Sequence, residues 1–184
     1  MKAIFHSLLF VLLMLSTNCN SDRTNNIAQT LFVPSDVQVF NAKTTTTGSE
    51  YLKSVNVLPF RIYTLVNAYC SCCVDDIRKC NQLSLELKDY KSVAVVPVCY
   101  SHDNFELLKF LFESDTLKNI FIPLILDNTD AFRKKNAPLI DSKEKFTVLT
   151  NGDNKILAIG NPYDNEADKN KFLNLIKEAT ISKL

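Results

Sequence analysis

Phe60-Arg61-Ile62-Tyr63-Thr64-Leu65-Val66 leads through Asn67-Ala68-Tyr69 into Cys70-Ser71-Cys72-Cys73, and residues 74–90 follow with neither Pro nor Gly. The opening run is apolar on both alternations and rich in β-branched and aromatic residues, the pattern of a strand buried on both faces. Ile77, Leu83, Leu85 and Leu87 among charges mark residues 74–90 as a helix. Three thiols therefore fall where a buried strand turns into a long helix. Unpaired N–H groups and the positive end of the peptide dipoles lie at such a junction, so a thiolate there is stabilised and its pKa falls. Cys73 follows Cys70 by three residues, one helical turn on, within reach of a short disulfide. An outer thiol that attacks and an inner one that resolves suit thiol–disulfide exchange. The same spacing also serves a structural disulfide or, with further ligands such as Cys99 and His102, zinc.

Outward from this junction the periodicity alternates. Residues 92–98 read as a second buried strand, and residues 104–112 as a helix whose Phe105, Leu108 and Phe112 stripe belongs to the core. Residues 120–126 read as a third strand, with Pro123 pointing to an edge or bulge. A short helix over 129–136 should end at Pro138. Residues 146–149 and 156–159 flank Asn151-Gly152-Asp153-Asn154, a hairpin signal, and an amphipathic helix over 165–181 closes the chain. Strands separated by helices call for parallel pairing, and the late hairpin adds an antiparallel edge. The fold class is α/β: a central mixed sheet with helices on both faces.

Upstream, 31–33 and 37–40 are short β-type runs split by Pro34-Ser35-Asp36, and 44–49 reads as a polar loop or hairpin tip. Residues 1–18 read as a signal peptide: Lys2 supplies a positive charge, and Leu8 to Leu15 is an apolar run far short of the ~20 residues of a spanning helix. Ser16-Thr17-Asn18-Cys19 resembles a bacterial lipobox, with Cys19 as the lipidated residue, although Asn18 stands where a smaller residue is usual; plain secretion is the alternative. Residues 19–56 are expected to be an N-terminal tether with short strands, and 57–184 the folded domain. Both export readings place the remaining cysteines where disulfides persist. Lys and Arg number 21 against 20 Asp and Glu, and Lys2 would be removed, so the mature chain is close to neutral. Such a chain lacks the basic field that nucleic acid requires.

With these elements in place the chain resembles thioredoxin-like proteins, specifically the TlpA/redoxin branch of exported, often lipid-anchored bacterial members. The resemblance spans roughly residues 57–181. It rests on the strand–Cys70-x-x-Cys73–helix unit, on Ile122-Pro123…Asp127 before a short helix, and on the Asn151-Gly152-Asp153 hairpin with its final helix. It implies a thioredoxin-like fold and an envelope thiol–disulfide oxidoreductase that needs no cofactor or metal. Cys70 would be the attacking thiol and Cys73 the resolving one. Its partners would be protein thiols and disulfides and an unidentified redox partner, and the membrane would be reached through the lipid anchor. Tyr69 takes the place of the usual Trp. Three departures stand out: no Pro in Asp141-Ser142-Lys143-Glu144-Lys145, an auxiliary thiol at Cys72, and no carboxylate in 60–66 to accept a proton from the inner thiol. The rival reading is a redox-inactive binding module of the same fold with a structural disulfide.

Cys80 and Cys99 are expected to be buried small hydrophobes or one structural bridge, with Cys72 left unpaired. His102 is expected to have a surface or capping role, with Asp103 as an N-terminal charge, and Lys134-Lys135, after Arg133, to be a short solvated patch.

Overall fold

The structure is a computed structural model that describes residues 29–40, 48–71, 74–140 and 146–181. The expected signal segment, Cys19, Cys72, Cys73 and residues 141–145 lie outside the described residues. In chain order the elements are β1 (Gln38–Phe40), α1 (Gly48–Asn56), β2 (Phe60–Asn67), α2 (Val74–Glu86), β3 (Val93–Tyr100) and α3 (Glu106–Glu113). There follow β4 (Leu124–Leu126), α4 (Ala131–Lys135), α5 (Ala137–Ile140), β5 (Phe146–Asn151), β6 (Ile156–Gly160) and α6 (Glu166–Ile181). The strands form one sheet in the order β1-β4-β3-β2-β5-β6. β2, β3 and β4 run parallel, while β5, β6 and β1 are antiparallel to their neighbours.

β2 lies at the centre because it carries apolar residues on both alternations. Phe60, Ile62 and Val66 pack beneath α2, α3 and α6 with Ile77, Leu108, Phe172 and Ile176. Tyr63 and Leu65 face the other layer, where α1 and α4 contribute Leu52, Val55 and Phe132. Helices thus cover both faces of a mixed sheet, as the periodicity predicts. Each fully buried side chain of this size adds roughly 1.5–3 kcal/mol of apolar transfer energy.

Several local readings differ from the structure, each for a physical reason. Residues 48–56 form a helix that takes in Gly48 and Ser49 from the end of the expected 44–49 loop, because Tyr51, Leu52 and Val55 recur at helical spacing and bury one face; residues 44–47 lie outside the described residues. Gly48 is required there: a Cβ would stand 2.1 Å from the Val37 carbonyl oxygen. α3 begins at Glu106 rather than Asn104, since Asn104 and Phe105 both adopt left-handed backbone. For a bulky residue such as Phe105 that conformation is costly, and its burial (2% exposed) offsets the strain.

The third strand shortens to Leu124–Leu126, starting only after Pro123. Pro138 does not end helical structure but lies in the first turn of α5, where its missing N–H needs no partner. The hairpin forms, yet its left-handed residue is Asn154 and not Gly152. Asn151 shapes that turn by accepting the N–H groups of Asp153 and Lys155, both at 2.9 Å.

Residues 29–40, assigned from sequence to the tether, are tied into the domain. The Leu31 N–H reaches the Asn154 carbonyl at 2.8 Å, and Leu31 itself is buried. Asn136 accepts the Phe32 N–H and donates to the Phe32 carbonyl, each at 2.9 Å, replacing a strand pair with one amide side chain. Phe40 packs on Phe112 with ring centroids 4.7 Å apart.

Asp127 follows β4 and turns the chain into α4. Its Oδ2 accepts the Phe132 N–H at 2.7 Å and its Oδ1 accepts the Thr129 hydroxyl at 3.0 Å. We expect Asp127→Ala to lower stability by about 1–2 kcal/mol in urea titration, because two donors lose their acceptor at a helix start.

Candidate functional site

β2 ends at Asn67, and the chain turns there because Asn67 Oδ1 accepts the Tyr69 N–H at 3.1 Å while the Ala68 N–H reaches back to the Tyr100 carbonyl at 2.9 Å. Cys70 emerges from this turn, half-buried, with exposed Ser71 after it and the first residue of α2 at Val74. It is therefore at the junction predicted from sequence, open to a partner and outside any regular element. Cys70 is disulfide-bonded. The positive end of the α2 dipole favours a thiolate here, while Asp75 and Asp76 in its first turn oppose one.

Beside Cys70 lies a row of rings from three separate segments. Tyr69, 54% exposed, meets His102 edge-on at 6.2 Å between centroids, and Tyr100 meets His102 edge-on at 6.3 Å. The Arg133 guanidinium stands over the Tyr100 ring, 5.1 Å from its centroid, and Asp130 fixes it by accepting from Nε at 2.9 Å. His102 is exposed, the surface role expected of it, and is not the residue that caps α3. Asp103 is, accepting the Leu107 N–H at 2.9 Å. Lys134 and Lys135 beyond Arg133 are exposed, as expected. Neither Tyr100 nor Arg133 was singled out from sequence; the available signal was that Tyr100 ends a parallel strand, where ligand sites of open α/β sheets gather.

On the α2 side of the sheet Thr64 of β2 belongs to a buried polar cluster. Thr64 Oγ1 lies 3.2 Å from Thr147 Oγ1 and 2.5 Å from the Tyr163 hydroxyl, and the Cys80 thiol donates to that hydroxyl at 3.4 Å. Burial pushes the Cys80 thiol up to about 12, and burial together with Cys80 holds the Tyr163 hydroxyl well above its ordinary value. Every member of this cluster is neutral near pH 7.

Cys80 and Cys99 are both free and fully buried, so the bridge considered between them is absent. Burial raises the Cys99 thiol, and Cys80 nearby raises it further. We expect neither to react with a water-soluble aromatic disulfide reagent at about pH 8 in the native protein, and both to react in guanidinium, where normal thiol pKa values near 8.5 return. The zinc set drawn from Cys70, Cys73, Cys99 and His102 gains no support: Cys99 is sealed in the core, and among the described residues no three potential ligands converge.

No family model matches the chain, and no curated protein matches its sequence. Solved structures do share its architecture. A thioredoxin-like protein from Porphyromonas gingivalis superposes with a TM-score of 0.51 at 14% identity, over 82% of this chain and 92% of its own. A protein assigned as the thiol:disulfide interchange protein DsbE from Chlorobium tepidum gives 0.53 at 17% identity, over 67% and 84%. The thioredoxin domain of a thiol-disulfide oxidoreductase from Bacteroides vulgatus gives 0.51 at 15% identity, over 82% and 96%. Likeness at these identities establishes a fold, and the fold is the one expected from the sequence.

Proposed function

We propose that this chain, thioredoxin-like in fold, is a thiol–disulfide oxidoreductase of the cell envelope with Cys70 and Cys73 as its working pair. The observation that carries the reading is Cys70: half-buried, in a disulfide, at the exit of the central strand and the entrance of α2. In the reducing direction the Cys70 thiolate attacks one sulfur of a substrate disulfide. A mixed disulfide forms and one substrate sulfur leaves as thiolate. The Cys73 thiolate then attacks Cys70, the second substrate sulfur leaves, and two electrons have passed from the protein pair to the substrate. The reverse sequence oxidises a substrate dithiol, and the reduction potential of the pair sets the direction.

Export through residues 1–18 and lipidation at Cys19 belong to the same proposal, and Cys72 is its auxiliary thiol. Among the described residues no helix is long and apolar enough to cross a membrane. Two of the structural neighbours are described as thiol–disulfide proteins, which fits the assignment. The second reading, a redox-inactive binding module, draws on the neutral Thr64–Tyr163 cluster, which offers no proton acceptor. Insulin reduction with dithiothreitol as electron donor separates the two: turnover above the uncatalysed rate supports the enzyme, and none supports the module.

A further inference from the structure

The first half of β3 has an open side. Its even-numbered residues turn their backbone groups toward β2, as Ser92 and Tyr100 do when their carbonyls accept the N–H groups of Phe60 and Ala68. Its odd-numbered residues face the β4 side, as Cys99 does when its carbonyl accepts the Asp127 N–H at 2.9 Å. β4 covers that side only opposite Val98 and Cys99. Pro97 directs its carbonyl to the β4 rung opposite Ile125, whereas Val95 directs its N–H and carbonyl toward a side where, among the described residues, no strand runs.

The chain's own approach is held away from this edge. Asn81 on α2 accepts the Phe121 N–H at 2.8 Å and donates to the Asn119 carbonyl at 3.2 Å, fastening the segment before β4 to the helix. Pro123 has no N–H to pair. Between α1 and the end of α2 this leaves a groove of about 440 Å3 along Val93, Ala94 and Val95, walled by apolar side chains that include Val55, Leu85 and Ile122. Leu85 is 44% exposed. Lys88 and Lys91 line the groove, and among the described residues no carboxylate does.

We propose that this groove docks an extended segment of a partner protein as an added strand on β3, with apolar residues at alternate positions and a carboxylate at the Lys88–Lys91 end. The open N–H and carbonyl of Val95 call for another backbone, the apolar walls take every second side chain, and the two ammonium groups select an acidic residue or free C-terminus. The site lies at the start of β3, about 23 Å along the strand from Tyr100 at its other end. It does not rest on the redox reading, and the two fail separately.

The test uses the full chain and a fluorescein-labelled peptide, Val-Thr-Val-Thr-Val-Glu with a free carboxylate. Saturable anisotropy is expected, with exchange of the Val95 amide slowed at least about tenfold in the complex. Leu85→Glu, and separately Lys88→Glu with Lys91→Glu, should each weaken binding at least about tenfold while leaving the circular dichroism unchanged. Substituting Lys for the terminal Glu of the peptide should also weaken binding. No binding at about 1 mM peptide, binding indifferent to these variants, or protection centred on Tyr69 and Cys70 would overturn the proposal. So would displacement of the peptide by phosphatidylglycerol vesicles, or self-association of the chain through the same edge.

Discussion

Cys70→Ser should reduce insulin turnover at least about 100-fold, to the uncatalysed rate, because a serine hydroxyl is not ionised near neutral pH and does not displace sulfur from a disulfide. Cys73→Ser should behave differently. Its Cys70 still attacks, but nothing resolves the mixed disulfide, so a covalent complex with substrate should accumulate on non-reducing gels. Cys72→Ser should retain turnover if Cys72 is only auxiliary. Alkylation at increasing pH measures the attacking thiol directly, and a midpoint well below about 8.5 is expected from the α2 dipole. Asp75 and Asp76 work against that shift, so Asp76→Asn should move the midpoint further down. An unmodified protein inactive with dithiothreitol would sink the assignment to an enzyme, and the fold would stand.

The largest structural effect is expected at Arg61. This side chain is 1% exposed, yet every acceptor it reaches is neutral. Nε donates to the Val55 carbonyl at 3.0 Å, one terminal nitrogen to the Asn56 and Gly152 carbonyls at 2.7 and 3.0 Å, and the other to Asn154 Oδ1 at 2.8 Å. One guanidinium therefore closes the C-terminus of α1 and holds the β5–β6 turn to it, and its positive charge suits the negative end of the helix dipole. Arg61→Ala would orphan these acceptors and leave a void, costing about 3–5 kcal/mol. That is roughly a fifth or more of the stability of an ordinary domain. Arg61→Lys keeps the charge and loses the planar fork, so it should recover less than half of the loss in urea titration. Hydrogen exchange offers a second reading if the Ala variant is poorly soluble: in Arg61→Lys the amides of α1 and the β5–β6 turn should exchange faster than those of β3.

Arg61 also marks the limit of what could be read from the chain. In a run such as 60–66 the alternation of apolar residues reveals a buried strand, but one Arg inside it gives no sign of the carbonyl and amide groups it gathers. The central strands, the long helices and the place of Cys70 were legible because each depends on local periodicity or on adjacency along the chain. α1 was not, because the run of Thr before it outweighed Tyr51, Leu52 and Val55 in the reading. The late start of α3 depends on two left-handed residues that no composition rule marks in advance. The Tyr69–His102–Tyr100–Arg133 row and the Thr64–Tyr163 cluster were hidden for another reason: strand register and crossover bring distant segments together, and neither is written in spacing.

Gln29 joins the domain through its carbonyl, which accepts the Ile156 N–H at 3.0 Å beside the β5–β6 turn. That turn adjoins the start of β2, whereas Cys70 follows its end, about 23 Å farther along the strand. Gln29 thus joins one pole of the sheet, and the Cys70 sulfur lies at the other. If acyl chains at Cys19 hold the protein to a bilayer, the reactive pole points away from the lipid, toward whatever diffuses past.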